Sequence, residues 1–141
     1  MQGATRAFIA DVRGASPTAP LRIDGSPPAN QSAAAIDFAL DDDSLALRGD
    51  LDTDGVEELY RVQLAPILGA PVKMSGPMVS GGDVSFAPGD VAFADDGALI
   101  YRADQSIDGV FEIFRVDAPG TAARIHAPLS ATADTIFFLT R

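Results

Sequence analysis

An internal repeat constrains this chain more than any other feature. Arg48 to Val62, RGDLDTDGVEELYRV, returns about 50 residues later as Arg102 to Val116, RADQSIDGVFEIFRV. The two stretches keep Arg48/Arg102, Asp50/Asp104, Asp54/Asp108, Gly55/Gly109, Val56/Val110, Glu58/Glu112, Arg61/Arg115 and Val62/Val116, with Leu59/Ile113 and Tyr60/Phe114 as like-for-like exchanges. Self-similarity at such a period marks a fold built of units that bury their apolar faces against their neighbours.

The rest of the chain follows the same order. Tyr60 to Leu64 leads through Gly69-Ala70-Pro71 to Val72-Lys73-Met74, and Phe114 to Ala118 leads through Pro119-Gly120 to Ala123-Arg124-Ile125. Ala7 to Val12 leads through a Pro-rich loop to Leu21 to Ile23, which makes three units rather than two. Ala35 to Leu40, the acidic turn Asp41-Asp42-Asp43 and Ser44 to Arg48 read as a hairpin, matched by Val91 to Ala94, Asp95-Asp96-Gly97 and Ala98 to Arg102. By the period of two, Val56, Tyr60, Val62 and Leu64 share one face and Leu59 takes the other. In the later copy Val110, Phe114 and Val116 oppose Phe111 and Ile113. Apolar residues on both faces predict sheets covered on both sides. No stretch carries sustained 3.6-residue apolar periodicity, so helix content is expected to be very low.

The fold expected is all-β, with propeller-like blades of four antiparallel strands in about three repeat units of roughly 50 residues. The units fall at approximately 1–34, 35–83 and 84–128, with a closing strand within 129–141, in a single domain. The residues Asp95-Asp96-Gly97, Leu99-Ile100-Tyr101, Asp104, Asp108-Gly109 and Glu112-Ile113-Phe114 resemble the bacterial propeller repeats of the TolB and PD40 type, as do Asp50, Asp54-Gly55 and Glu58-Leu59-Tyr60. The resemblance covers roughly residues 35 to 128. It departs in the first unit, which lacks the hairpin, and at Asp41-Asp42-Asp43, which lacks the turn glycine.

Bulk properties narrow the partners. A net charge of -10 over 141 residues opposes association with phosphate backbones, so no nucleic acid is expected. No apolar run reaches the roughly 20 residues needed to span a bilayer, so no membrane insertion is expected. The acid is 17 Asp against 3 Glu, which suits turns and caps rather than helix interiors. There is no cysteine to supply disulfides, a thiolate nucleophile or a sulfur metal site. The N-terminal residues do not read as a secretory signal, which leaves a cytoplasmic location, or a periplasmic or extracellular one if a leader has been removed.

The hairpin loop after Arg48 carries the candidate site. Asp50, Asp52, Asp54 and Glu58 stand at loop positions 1, 3, 5 and 9 with Gly55 at 6, a spacing that aims oxygens at one hard cation, calcium. Arg61 occupies position 12, where an EF-hand needs Glu, and the spacing instead resembles the calcium loops of integrin-type propellers. The second copy offers Asp104, Ser106, Asp108 and Glu112, one carboxylate fewer. The competing reading is that these are Asx-turns, with Glu58 and Glu112 tying the hairpin by hydrogen bonds or to Arg48 and Arg102. Arg48-Gly49-Asp50 spells an adhesion tripeptide, but its repeat partner Arg102-Ala103-Asp104 makes it a by-product of the unit pattern. His126, the only histidine, stands where Ser75 stands one unit earlier, with no GxSxG or second histidine.

These features predict a non-catalytic propeller module for binding or assembly, acting through a protein partner or as a homo-oligomer by edge-strand or blade pairing. The alternatives are a fragment of the substrate-gating propeller of a larger hydrolase and a calcium-stabilised surface adhesion module. Self-association is expected because an apolar run, Thr135 to Thr140, is placed to complete the first unit of another copy.

Overall fold

The computed structural model describes residues 5–10, 19–38, 43–85, 87 and 89–130. Among them are ten strands and no helix: β1 (Phe8–Ile9), β2 (Leu21–Arg22), β3 (Ala33–Phe38), β4 (Ser44–Gly49), β5 (Glu58–Gln63), β6 (Val72–Lys73), β7 (Val91–Phe93), β8 (Leu99–Ala103), β9 (Glu112–Val116) and β10 (Ala123–Arg124). They form three antiparallel sheets, β1-β2, β3-β4-β5-β6 and β7-β8-β9-β10, each ordered as the chain runs. The meanders are those the repeat predicts. The closing strand and the run Thr135 to Thr140 lie outside the described residues, as do Asp41 and Asp42.

Each long hairpin closes on equivalent pairs, Gly49 opposite Glu58 and Ala103 opposite Glu112. The turns bend at Gly55 and Gly109, both at φ 75, a left-handed conformation that a β-carbon disfavours. A Cβ at either glycine would meet nothing within 4 Å, so the backbone angle and not crowding selects glycine there.

The three sheets stack, and the middle one feeds two cores by strict alternation. Leu45, Leu47, Tyr60 and Val62 face the first sheet and join Ala7, Ile23 and Ala33. Ala46, Leu59 and Met74 face the third and join Val84, Val91, Phe93, Leu99, Tyr101, Ala103, Phe114 and Val116. Each fully buried leucine or valine contributes about 1.5–3 kcal/mol by leaving water, so neither core is dispensable to a domain this size.

One backbone bond recurs between consecutive sheets. The Ala33 N–H donates to the Thr5 carbonyl at 3.1 Å, and the Val84 N–H donates to the Glu57 carbonyl at 2.8 Å. Val84 extends the third sheet through a bridge to Ala103, as Ala33 pairs with Gly49 in the second. The first strands of the two larger sheets, β3 and β7, lie side by side. Arg61 reaches across from β5: its guanidinium lies 5.5 Å from the Phe93 ring centroid and donates to the Gly97 carbonyl at 3.3 Å.

Candidate functional site

Asp50 and Asp104 do the same work in the two hairpins. Asp50 Oδ1 accepts the Ser32 N–H at 2.5 Å and Oδ2 the Gly55 N–H at 3.4 Å. Asp104 accepts from the Asp83 N–H at 2.6 Å and the Gly109 N–H at 2.9 Å. Each buried carboxylate thus joins the loop glycine to the segment entering the sheet's first strand. The adhesion tripeptide is part of this clamp: Arg48 and Asp50 are both buried, and a Cβ at Gly49 would stand 2.2 Å from the Ser32 carbonyl oxygen.

The other expected ligands are dispersed. Asp52 is exposed and pairs with Lys73 Nζ at 3.0 Å, and Asp54 is exposed in the turn. Glu58 is buried between Lys73 and the Tyr60 hydroxyl, which donates to it at 2.5 Å. In the second hairpin Glu112 is buried against Arg124 at 2.8 Å and accepts the Leu129 N–H at 3.3 Å. Asp108 lies over Gly81, where a Cβ would come 2.8 Å from its Oδ2. Among the described residues no group of three or more His, Cys, Asp or Glu converges as a metal site.

The expected arginine partners for these glutamates are corrected by register. Arg48 stands opposite Leu59 and shares its face, so Glu58, one residue away, points to the other side of the sheet. Arg48 lies 3.4 Å from Glu57 and Arg102 3.2 Å from Asp90, whereas Lys73 and Arg124 on the fourth strands take Glu58 and Glu112.

Just past β2, β6 and β10 lies a three-fold equivalence of which the sequence pattern showed only the Ser75 and His126 pair. Asp24, Ser75 and His126 recur at constant spacing, and each side chain accepts one backbone N–H from the third strand or its lead-in. The donors are Ala7 at 3.3 Å, Leu59 at 3.1 Å and Ile113 at 2.9 Å. Since His126 Nε2 accepts, Nδ1 carries the proton and donates to the Ala127 carbonyl at 2.7 Å. The histidine caps a strand. The signal that could have revealed this is the parallel spacing of the cations two residues earlier, Arg22, Lys73 and Arg124.

Between the first two sheets lies a cleft of about 380 Å³, lined in part by Asp24, Leu51, Asp52, Tyr60, Pro71 and Lys73. Burial opposes the charge on Lys73, but Glu58 and Asp52 outweigh it and hold the ammonium above its ordinary value. Burial, reinforced by Glu58, pushes the Tyr60 hydroxyl well above the phenol range. At neutral pH the cleft is therefore edged by an ammonium paired with Glu58 and Asp52, a protonated phenol, the Asp24 carboxylate and apolar side chains. Between the second and third sheets the same space is closed. The Tyr101 hydroxyl donates to Gln105 Oε1 at 2.6 Å and accepts the Gly76 N–H at 3.3 Å, and Gln105 occupies the space beside Gly76.

Comparison of the chain with protein-family models, with curated proteins and with solved structures gives no match in any of the three.

Proposed function

We propose that the chain is a run of consecutive β-propeller blades of the TolB and PD40 type, serving as a non-catalytic module for binding and assembly. The observation that carries this reading is the repeated stacking of sheets by unlike faces. One backbone bond recurs at both junctions, and the first strands β3 and β7 lie side by side as around a common axis. A binding role is further supported by the ionisable groups around the cleft. Lys73 and Tyr60 are held in their neutral-pH charge states, and away from the cleft His126 has both ring nitrogens engaged. The test is sedimentation equilibrium over a concentration series, run beside turnover assays on ester, peptide and glycoside substrates. A mass that rises with concentration and no turnover are expected; a monomer throughout, or turnover lost in Lys73→Met, would overturn the reading.

A further inference from the structure

The junctions between sheets follow one rule. At the first, Ile23, next to β2 of one sheet, meets the core that holds Tyr60 from β5 of the next, with Ile23 at 2% and Tyr60 at 3% exposure. At the second, Met74 and Phe114 take those same positions at 3% each. The equivalences are fixed by hydrogen bonding. Ile23, Met74 and Ile125 each donate their N–H to the residue one before the equivalent aromatic, namely Ala7, Leu59 and Ile113. Phe8, Tyr60 and Phe114 then stand opposite Arg22, Lys73 and Arg124.

The same two positions at the ends of the stack are open. Ile125 is 51% exposed on the third sheet, and Phe8 is 55% exposed on the first. Among the described residues no further sheet lies against either. The aliphatic position on the third sheet and the aromatic position on the first are therefore the two halves of a junction that the described sheets already make twice.

We infer that a second copy of this chain stacks on the outer face of β7–β10, head to tail, seating its Phe8 against Ile125. This rests on the reading of the chain as stacked repeat units and names the partner of that assembly. Because the two surfaces differ, the contact is heterologous. It closes into a ring if the rotation per copy allows, and otherwise runs on as a filament.

The chain has no cysteine, so single introduced thiols report contacts cleanly. Phe8→Cys and Ile125→Cys proteins are mixed under oxidising conditions, and each is also oxidised alone. The mixed disulfide dimer is expected as the dominant cross-linked species, with little homodimer from either variant alone. In parallel, Phe8→Asp and Ile125→Asp should each abolish the concentration-dependent rise in mass while leaving the melting temperature of dilute protein unchanged. Association of the native protein without the mixed disulfide, or with equal homodimers, overturns the head-to-tail contact while leaving an assembly module in place. So does association that survives both aspartate variants and is lost only on removing residues 131–141, which would make that segment the occupant. A native protein that stays monomeric overturns both.

Discussion

The two junctions between sheets share a frame and differ in how they are sealed. At the junction of the first and second sheets Leu51 and Leu47 stand where Gln105 and Tyr101 stand at the next one. The leucines donate no hydrogen bond across the gap, and a cleft of about 380 Å³ stays open, edged by Lys73, Asp52 and Tyr60. At the second junction Tyr101 and Gln105 bond to each other and to Gly76 and close the space. Stacking is thus supplied by the repeat, while the site is supplied by departures from it. The exchange involves the cores as well as the rim, since Leu47 and Tyr101 are themselves buried core residues.

The largest expected effect tests the cores behind the junctions. Leu45 and Leu99 are repeat equivalents, both fully buried. Leu99→Ala should cost about 3 kcal/mol in urea unfolding, within the range for a leucine cavity. Leu45→Ala should cost less, because the two-stranded β1-β2 sheet can settle into the space more readily than a four-stranded one. An equal or greater loss at Leu45 would mean that the first junction is as rigid as the second.

Next come the two tyrosines. Tyr101→Phe leaves the Gly76 N–H and Gln105 without their partner in a buried place and should cost about 1–2 kcal/mol. Tyr60→Phe should cost under about 1 kcal/mol, because Lys73 still holds Glu58. Reversal of that order would place the sealed junction at the first interface.

Stability should fall at both ends of the pH range, for different residues. Burial opposes ionisation of Glu112, yet the Leu129 N–H, Ser106 and Arg124 hold its carboxyl below the ordinary value. Its contribution is full above the unfolded carboxylate value and is lost as pH falls through the depressed folded one; Asp24, held down through Arg22 and two backbone N–H groups, adds to the same limb. Lys73 is raised, so its contribution is full below the ordinary lysine value and is lost as pH rises through the folded one. Tyr101, pushed up to about 12 chiefly by burial, weakens the fold in the same alkaline direction. Glu112→Gln should flatten the acid limb and Lys73→Met the alkaline one, read as the slope of melting temperature against pH. An acid limb unchanged in Glu112→Gln would remove that residue from the argument.

The smallest expected effect is from calcium. Both Asp50 oxygens accept backbone N–H groups and Glu58 is held by Lys73, so millimolar calcium should leave the melting temperature where it is. A rise that Asp52→Ala abolishes would show that the loop rearranges to bind the ion.

Much of this architecture is written in local pattern. The strand order, the glycine turns at Gly55 and Gly109, and the split of Tyr60 and Leu59 between two faces follow from turn chemistry and the period of two. The partners of the glutamates were not legible in that way. Whether Glu58 meets Arg48 or Lys73 depends on which face each residue takes once β4, β5 and β6 are in register, and both cations lie within plausible reach in sequence. The alternating acids of Asp50 to Glu58 match a calcium loop because both uses place oxygens around a tight turn. Here the first oxygen pair went to backbone N–H groups. The cleft was invisible for a further reason: it depends on what Leu51 fails to fill, and an unfilled volume leaves no mark in a single sequence.

The central claim is that consecutive sheets are joined by the same backbone bond at each junction. Long-range HNCO spectra report such bonds directly, through the coupling between a donor nitrogen and the acceptor carbonyl carbon. Correlations from Ala33 N to the Thr5 carbonyl and from Val84 N to the Glu57 carbonyl are expected, with both amides slow to exchange with solvent. Absence of both correlations, with amides exchanging as fast as those of exposed loops, would contradict the stacking of the three sheets.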